Sequence, residues 1–346
     1  MQFECFTNWE QLPGSANALF EYAEKDSLFF SRPWFENLIS ALDDDQSILL
    51  ACVVDGNKMM AILPLIKCAG NNFLSLKHRY STHYSLLLAD EDQRQVLACL
   101  VEGLGRLPVR SLLLEPVAHN DNRLLGMQQN MESAGYACEY LFRSYNWIYR
   151  VQGQTFKEYM AERPARLRNT ISRKKRKLER EHDLEMRLYK GDEVPSAMLD
   201  YYAVYTASWK ANEQYVNFLD GMVTGFSKAG WSRLGVMYIN GQAVAAQLWF
   251  VLRGKASIFR LAYDEAWKPY SPGSILTSFL MEYVIDTDKV DEIDFLTGND
   301  AYKQDWMSDR RERFALSCVK SVKPAGLFEQ LAESLKRILK KDKDLK

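Results

Sequence analysis

The feature that most constrains this chain is a β-hairpin signal that occurs twice. Ser47 to Cys68 reads as two β-rich runs around Asp55-Gly56, and Leu234 to Leu252 as two β-rich runs around Asn240-Gly241. Turns of this class need a backbone with φ above zero, which glycine adopts at no steric cost. The two signals stand 185 residues apart in a chain of 346, more than half its length. A helical stretch precedes each one. Arg32 to Leu42 places Trp34, Phe35, Leu38, Ile39 and Leu42, and Val216 to Ala229 places Phe218, Leu219, Met222, Val223 and Phe226, on one helical face.

After each hairpin the same order returns. The first half is expected to hold a strand around Phe73–Leu76, a helix over Gln93–Leu104, a strand over Arg110–Glu115, a further helix, and strands within 136–151. The second half is expected to hold a strand over Ala256–Tyr263, a helix over Ser274–Ile285, a strand over Val290–Leu296 and a last strand over Phe314–Val319. Shared elements in the same order argue for an internal duplication. Their alternation gives an α/β class, with mixed sheets of the α+β kind in two tandem domains. The domains are read as 1–152 and 153–346, a division that suits the length.

The second domain opens on a basic segment, 156–190. Arg163 to Arg180 holds nine Arg or Lys and one acid, Glu179, while Leu167, Ile171 and Leu178 share one helical face. A long basic helix with a thin apolar stripe is expected. A second is expected at the C-terminus, with Leu327, Leu331, Leu335, Ile338 and Leu339 as its stripe and Lys336, Arg337, Lys340, Lys341 and Lys343 as its charge. The first is either a solvated linker face or a contact for an anion, a nucleotide- or lipid-linked phosphate or a tRNA; the second either docks onto the domain or meets an anionic membrane surface. The chain as a whole balances 44 Lys and Arg against 45 Asp and Glu, so it is no general binder of DNA.

Cysteines 5, 52, 68, 99, 138 and 318 include no closely spaced pair, so neither zinc nor another metal is expected, and free thiols suit a reducing cytoplasm. The N-terminus does not read as a signal peptide. The longest uncharged run, Leu234 to Leu252, is interrupted by the Asn-Gly turn, so no transmembrane segment is expected. The expected location is the bacterial cytoplasm, with the basic helices suited to the inner membrane face.

The segment Y-D-E-A-W-K-P-Y-S-P-G-S-I-L, Tyr263 to Leu276, joins an expected strand to an expected helix. Ser271, Pro272, Gly273 and Ser274 at the joint leave backbone N–H groups exposed at a helix start, a site for an anion such as a pyrophosphate, with Lys268 three residues before. The same letters also describe an ordinary capped helix. Asp264 and Asp294 are the carboxylates nearest such a cleft, and either can take a proton, directly or through water. Asp294 lies in the apolar run Ile293-Asp294-Phe295-Leu296, where burial would raise its pKa or a hydrogen bond would make it structural. Tyr263 and Tyr302 are alternative acid or base groups. Lys303 suits an oxyanion or a phosphate, or is a surface lysine. His78, Tyr80 and Tyr84, with Trp209 and Tyr263, are read as lining an acceptor cleft; His78 and His83 are equally surface imidazoles. No G-x-S-x-G, H-E-x-x-H, Walker or dinucleotide fingerprint occurs, so hydrolase, zinc-protease and NTPase readings lack support.

Lys268-x-x-Ser271-x-Gly273-Ser274 resembles the Gln/Arg-x-x-Gly-x-Gly/Ala loop of GNAT-type N-acetyltransferases, with Lys for the Gln or Arg and Ser for the first Gly. From about Phe30 to Val319 the chain is similar to double-GNAT acyltransferases of the FemAB-like and CelD-like group. The marks, in order, are Leu167-Arg168-Asn169 to Leu178-Glu179-Arg180, Ser208-Trp209, Asn240-Gly241-Gln242-Ala243-Val244-Ala245-Ala246, Ala262-Tyr263-Asp264, Ser271-Pro272-Gly273, Asp294-Phe295-Leu296 with Gly298, and Tyr302-Lys303 before Trp306. The resemblance implies two GNAT-like (acyl-CoA N-acyltransferase) domains. It also implies acyl-CoA as donor, held by Lys268, Ser271, Gly273 and Ser274, and an amine or hydroxyl acceptor such as a cell-envelope or exopolysaccharide precursor. Tyr302-Lys303 resembles the aromatic-Lys pair near the donor site of Fem-type transferases. His78 to Leu88 holds no glycine, so a donor site in the first half is expected to be lost. The Fem branch implies an alternative, a ligase that uses aminoacyl-tRNA through the basic helix; a non-catalytic binding module on the same fold is a third.

Overall fold

The computed structural model describes residues 1–43, 46–210 and 213–321. The expected C-terminal helix with Leu327 and Lys343 lies outside the described residues. In chain order the strands are β1 (Gln2–Phe6), β2 (Ser47–Asp55), β3 (Lys58–Cys68), β4 (Asn72–Ser75), β5 (Leu87–Leu88), β6 (Ser111–Val117), β7 (Tyr136–Arg150), β8 (Leu184–Lys190), β9 (Ser232–Ile239), β10 (Gln242–Leu252), β11 (Lys255–Tyr263), β12 (Glu292–Thr297) and β13 (Asp309–Lys320). The helices are α1 (Ala16–Ala23), α2 (Arg32–Ser40), α3 (Gln93–Arg106), α4 (Asn122–Ser133), α5 (Phe156–Glu162), α6 (Ala165–Glu181), α7 (Val194–Thr206), α8 (Val216–Lys228), α9 (Pro272–Asp286) and α10 (Lys303–Trp306).

The chain divides into two compact units, neither of them a continuous stretch. The first takes Met1–Ala23, Leu42–Arg143 and the chain from Arg313; the second takes Glu24–Ala41 and Ser144–Glu312. In the first unit the β2–β3 hairpin closes on the pair Asp55↔Lys58, so its loop is Gly56-Asn57, with Gly56 at φ 59°. β1 adds antiparallel to β2, and β4 antiparallel to β3. β6 then joins β4 in parallel over Asn72↔Ser111 to Leu74↔Leu113, and β13 closes antiparallel on β6.

The second unit repeats this plan. Its β9–β10 hairpin turns on Asn240 (φ 50°) and Gly241 (φ 80°), so here both loop residues are left-handed, as an Asn-Gly turn requires. β8 extends β9, β11 lies antiparallel to β10, and β12 joins β11 in parallel over Lys255↔Glu292 to Ser257↔Asp294. The later part of β7 then lies antiparallel to β12. Each unit is thus a hairpin, an antiparallel strand, a parallel strand and an antiparallel closing strand. The closing strands are exchanged: β13, from the chain's end, completes the first unit, and the end of β7, from the first half, completes the second. A closing strand is chosen by non-local pairing, which periodicity does not report.

Helix α2 is also placed by tertiary contact. Ser31 caps it, its Oγ accepting from the Trp34 N–H at 3.3 Å, and the helix belongs to the second unit. There the Trp34 ring stands 5.5 Å from that of Phe218, and Asn37 Nδ2 donates to the Phe218 carbonyl at 3.0 Å. Gly221 makes this approach possible, because a Cβ at that position would lie 2.3 Å from Asn37 Oδ1.

The basic segment is not one helix, as the sequence suggested. Pro164 separates α5 from α6, because proline cannot donate to a helix and disfavours helical geometry in the residue before it. Beyond Glu181 the chain becomes β8, where Leu184, Met186 and Leu188 alternate with exposed residues. The stripe Leu167, Ile171 and Leu178 is buried, and it joins the core formed with α9, β10 and β11.

Two features of the first unit bear on its stability. Cys138 and Cys318 form a disulfide, which corrects the expectation of free thiols for this pair; they lie 180 residues apart in sequence and meet only once β7 and β13 are placed. Glu115 of β6 is 7% exposed and sits between Lys77 Nζ at 2.8 Å and Arg143 Nε at 2.7 Å. Burial pushes its carboxyl up, but the two cations outweigh burial and hold it below the ordinary value. Its stabilising contribution is therefore fully present above about pH 4.3, the unfolded-state value, and is lost as pH falls through the depressed folded value. Thermal melts from pH 7 to pH 3 are expected to show Glu115→Gln less stable than wild type at pH 7, with the gap closing in acid. A gap unchanged at pH 3 would contradict this account.

Candidate functional site

The second unit contains a split in its sheet. The parallel pairing of β11 with β12 ends at Ser257↔Asp294, yet β11 runs on to Tyr263 and β12 to Thr297. Two irregularities accompany the parting. Pairing of β10 with β11 passes from Leu248↔Arg260 to Trp249↔Ile258, which leaves Phe259 as a bulge. On β12 the register with β7 shifts between Asp294 and Thr297, with Leu296 at φ 55°. A strand that leaves its neighbour bares backbone donors and acceptors along that edge.

Three residues read from the sequence come together beside this split. Trp209, 47% exposed, has its ring 4.5 Å from that of Tyr263. Tyr263 Cδ1 in turn lies 3.1 Å from where a Cβ of Gly273 would stand. Helix α9 starts just there. Ser271 adopts the left-handed conformation (φ 56°, ψ 48°), and its side chain caps nothing. The sequence suggested several exposed amides at this junction, but the Ser274 and Ile275 N–H groups turn back to the Ser271 carbonyl at 3.1 and 3.2 Å. Pro272 has no N–H. The Gly273 N–H is left without a backbone partner among the described residues. The Gly273 carbonyl accepts from Gln247 Nε2 at 3.0 Å and Thr277 Oγ1 at 2.8 Å, which fixes the plane of the loop. Lys268 is exposed on the turn before it, and its carbonyl accepts from Ser271 N at 3.0 Å.

The other assigned residues are placed differently. Asp264 caps the turn Glu265–Tyr270, its Oδ1 accepting from Ala266 N at 2.9 Å. Asp294 is half-buried and accepts from Leu296 N at 2.6 Å, holding the irregular end of β12. Lys303 is 4% exposed, not a surface lysine. Its ammonium donates to the Phe295 and Thr297 carbonyls at 3.1 and 2.8 Å and lies 3.6 Å from Asp300. It clamps the same irregular segment, and burial lowers its pKa against the pull of Asp300 and Asp294. Tyr302 is 43% exposed, edge-on to Phe295 at 5.8 Å. His78 and Tyr80 lie in the first unit with ring centroids 4.8 Å apart, His78 Nδ1 accepting from Tyr80 N. Tyr84 is a core residue: it is 3% exposed and its hydroxyl donates to the Pro64 carbonyl.

Sequence reasoning passed over several polar groups of the second unit. Lys210, next to Trp209, donates to the Leu261 carbonyl, on the part of β11 that β12 has left. Arg260 pairs with Glu213 at 2.7 Å, and that carboxylate side chain is only 4% exposed. The buried Tyr201 hydroxyl, within electrostatic range of this pair, has no partner among the described residues. Neither do the amide atoms of Asn146, which faces Thr297 across the irregular end of β12. The adjacency of Lys210 to the aromatic Trp209 was the one signal in the letters.

Residues 165–304 match the family described as Acetyltransferase (GNAT) domain. No curated protein matches the sequence. Among solved structures, FemX is similar over 92% of this chain and 97% of its own, with a TM-score of 0.64 and 9% identity. The C-terminal domain of a putative lysylphosphatidylglycerol synthetase from Agrobacterium fabrum is similar over 86% of this chain and 90% of its own, with a TM-score of 0.53 and 13% identity. L-PGS from Bacillus licheniformis covers 84% of this chain and 89% of its own, with a TM-score of 0.53 and 10% identity. No helix of the described residues is long and apolar enough to cross a membrane. By the family match over 165–304 and the repeated plan of its two units, the chain carries a GNAT domain in its second half and a fold of two GNAT-like domains, similar to that of FemX.

Proposed function

We propose that the second unit binds an acyl-CoA in the split between β11 and β12 and transfers its acyl group to an amine or hydroxyl acceptor. The parting of the two parallel strands carries this reading. An extended amide-bearing arm laid between them takes hydrogen bonds from the bared edges, as an added strand would. At one end of the split, the Gly273 N–H and the positive end of α9 suit a phosphate. Gly273 itself fits this use, because a side chain there would meet the Tyr263 ring. Lys303 and Asp294 act by holding the irregular end of β12, Lys268 offers an exposed cation beside the loop, and Trp209 with Tyr263 forms an aromatic wall. The acceptor, by the FemAB-like resemblance, is a small molecule or a lipid- or nucleotide-linked envelope or exopolysaccharide precursor, and the reaction is cytoplasmic.

Calorimetric titration with acetyl-CoA and longer acyl-CoAs tests the donor. Saturable binding at micromolar to low-millimolar concentration is expected; no heat at millimolar donor would remove the reading. A second reading, an aminoacyl-tRNA donor, is favoured by the exposed Arg173 and Arg176 of α6, which have no acidic partner among the described residues. Ribonuclease treatment decides between them, since only the tRNA-dependent activity is lost.

A further inference from the structure

Neither carboxylate singled out by the sequence stands open in the split: Asp264 caps a turn and Asp294 holds Leu296. The group that does stand there is Lys210. Its ammonium lies on the Leu261 carbonyl, and the Tyr205 and Trp209 rings each lie 5.6 Å from Nζ. Charged neighbours reach it from three further elements: Arg260 of β11, Glu213 before α8, and Asp300 after β12. Asp300 also faces Lys303, so one carboxylate is shared between Lys210, which follows α7, and Lys303, which opens α10.

We propose that Lys210 is the proton acceptor of the transfer, taking the proton of the attacking amine or hydroxyl and returning it to the leaving thiolate. The inference rests on the acyl-CoA reading above. In the step, the acceptor nitrogen or oxygen forms a bond to the thioester carbonyl carbon and the carbon–sulfur bond breaks. The proton released by the acceptor goes to Lys210 Nζ and then to the coenzyme A sulfur, so the enzyme ends unchanged. Burial of the ammonium, and then the charge of Arg260, lower the pKa of Lys210 to about 8, against the opposing pull of Glu213 and Asp300. A lysine of that value can take the proton of the acceptor near neutral pH and, once protonated, pass it to a leaving alkyl thiolate, which is at least as basic as cysteine's at roughly 8.5. The neutral amine keeps one N–H for Leu261 and turns a lone pair to the split. Arg260 stays cationic, anchored by Glu213 at 2.7 Å.

Two measurements on the full chain test this. The first is competitive labelling with acetic anhydride from pH 6 to 11. Lys210 is expected to gain reactivity through about pH 8, well below the roughly 10.4 of an ordinary lysine side chain, with the exposed Lys157 and Lys228 labelled alongside as controls. The second is coenzyme A release from acetyl-CoA with a panel of primary amines, glucosamine and ethanolamine among them. Lys210→Met is expected to lower kcat about 100-fold or more, the usual scale for a lost general base, and to remove an activity limb that rises through pH 8. The KM for acetyl-CoA should stay within about two-fold if only proton transfer is lost. Lys210→Arg is expected not to restore the rate, because a guanidinium does not lose its proton near pH 8. Circular dichroism and retained acetyl-CoA binding establish that the variants fold. Lys210 titrating with the exposed lysines overturns the inference, as does Lys210→Met keeping both kcat and the limb. Failure of wild type to bind acetyl-CoA instead overturns the donor reading beneath it.

Discussion

Gly273→Glu is expected to lower the affinity for acetyl-CoA by more than about 100-fold while leaving the fold intact. Two effects act together. A Cβ at position 273 would lie 3.1 Å from Tyr263 Cδ1, so that ring, 4.5 Å from the ring of Trp209, must give by a few tenths of an ångström. The carboxylate then adds a negative charge at the start of α9, where the dipole and the Gly273 N–H would face a phosphate. Two like charges in one site cost several kcal/mol when partly desolvated, on the order of the predicted loss. Gly273→Ala separates the two effects: it keeps the crowding without the charge and is expected to lose about ten-fold. Calorimetry with acetyl-CoA gives both values, and Gly273→Glu binding as wild type does would place the donor elsewhere.

Trp34→Ala is expected to cost about 3–5 kcal/mol, the usual range for deleting a buried tryptophan. Trp34 is 1% exposed, edge-on to Phe29 at 4.8 Å and to Phe218 at 5.5 Å. The residue stands early in the chain, but the loss should fall on the second unit, where α2 resides. Hydrogen exchange resolved along the chain is expected to show protection falling in α8 and the β9–β10 hairpin, together with a melting point lower by roughly 10 °C. Leu199→Ala, at a site 78% exposed, serves as a control and should change little. Loss of protection confined to β2 and β3 would contradict the assignment of α2 to the second unit.

The candidate site was legible in part. Trp209, Tyr263 and Gly273 were each identifiable as residues, and the fold brings them together. Asp264, Asp294 and Lys303 were identifiable as polar residues in the right segments, but not by what they hold. A letter gives a carboxylate or an amine, and only the backbone around it shows whether its hydrogen bonds close a turn, a strand end or nothing. Tyr84 was read as cleft lining because aromatic residues near histidines suit a cleft; its hydroxyl instead meets Pro64 in the core. Lys210 carried no motif. Its environment is built from α7, β11, the segment before α8 and the loop after β12, which no window of sequence spans.

The sequence by itself determined the two hairpins, the repeated order of elements after them, the buried stripe of α6 and the start of α9. Each of these rests on local chemistry: a turn that needs glycine, a period of two or 3.6, a Ser-Pro step. Only the tertiary structure decided which strand closes each unit, that α2 lies against α8, that Cys138 meets Cys318, and that β11 and β12 part after three residue pairs. Periodicity records that a residue faces something apolar or polar without recording what, and partners from opposite ends of the chain are chosen by packing and strand pairing.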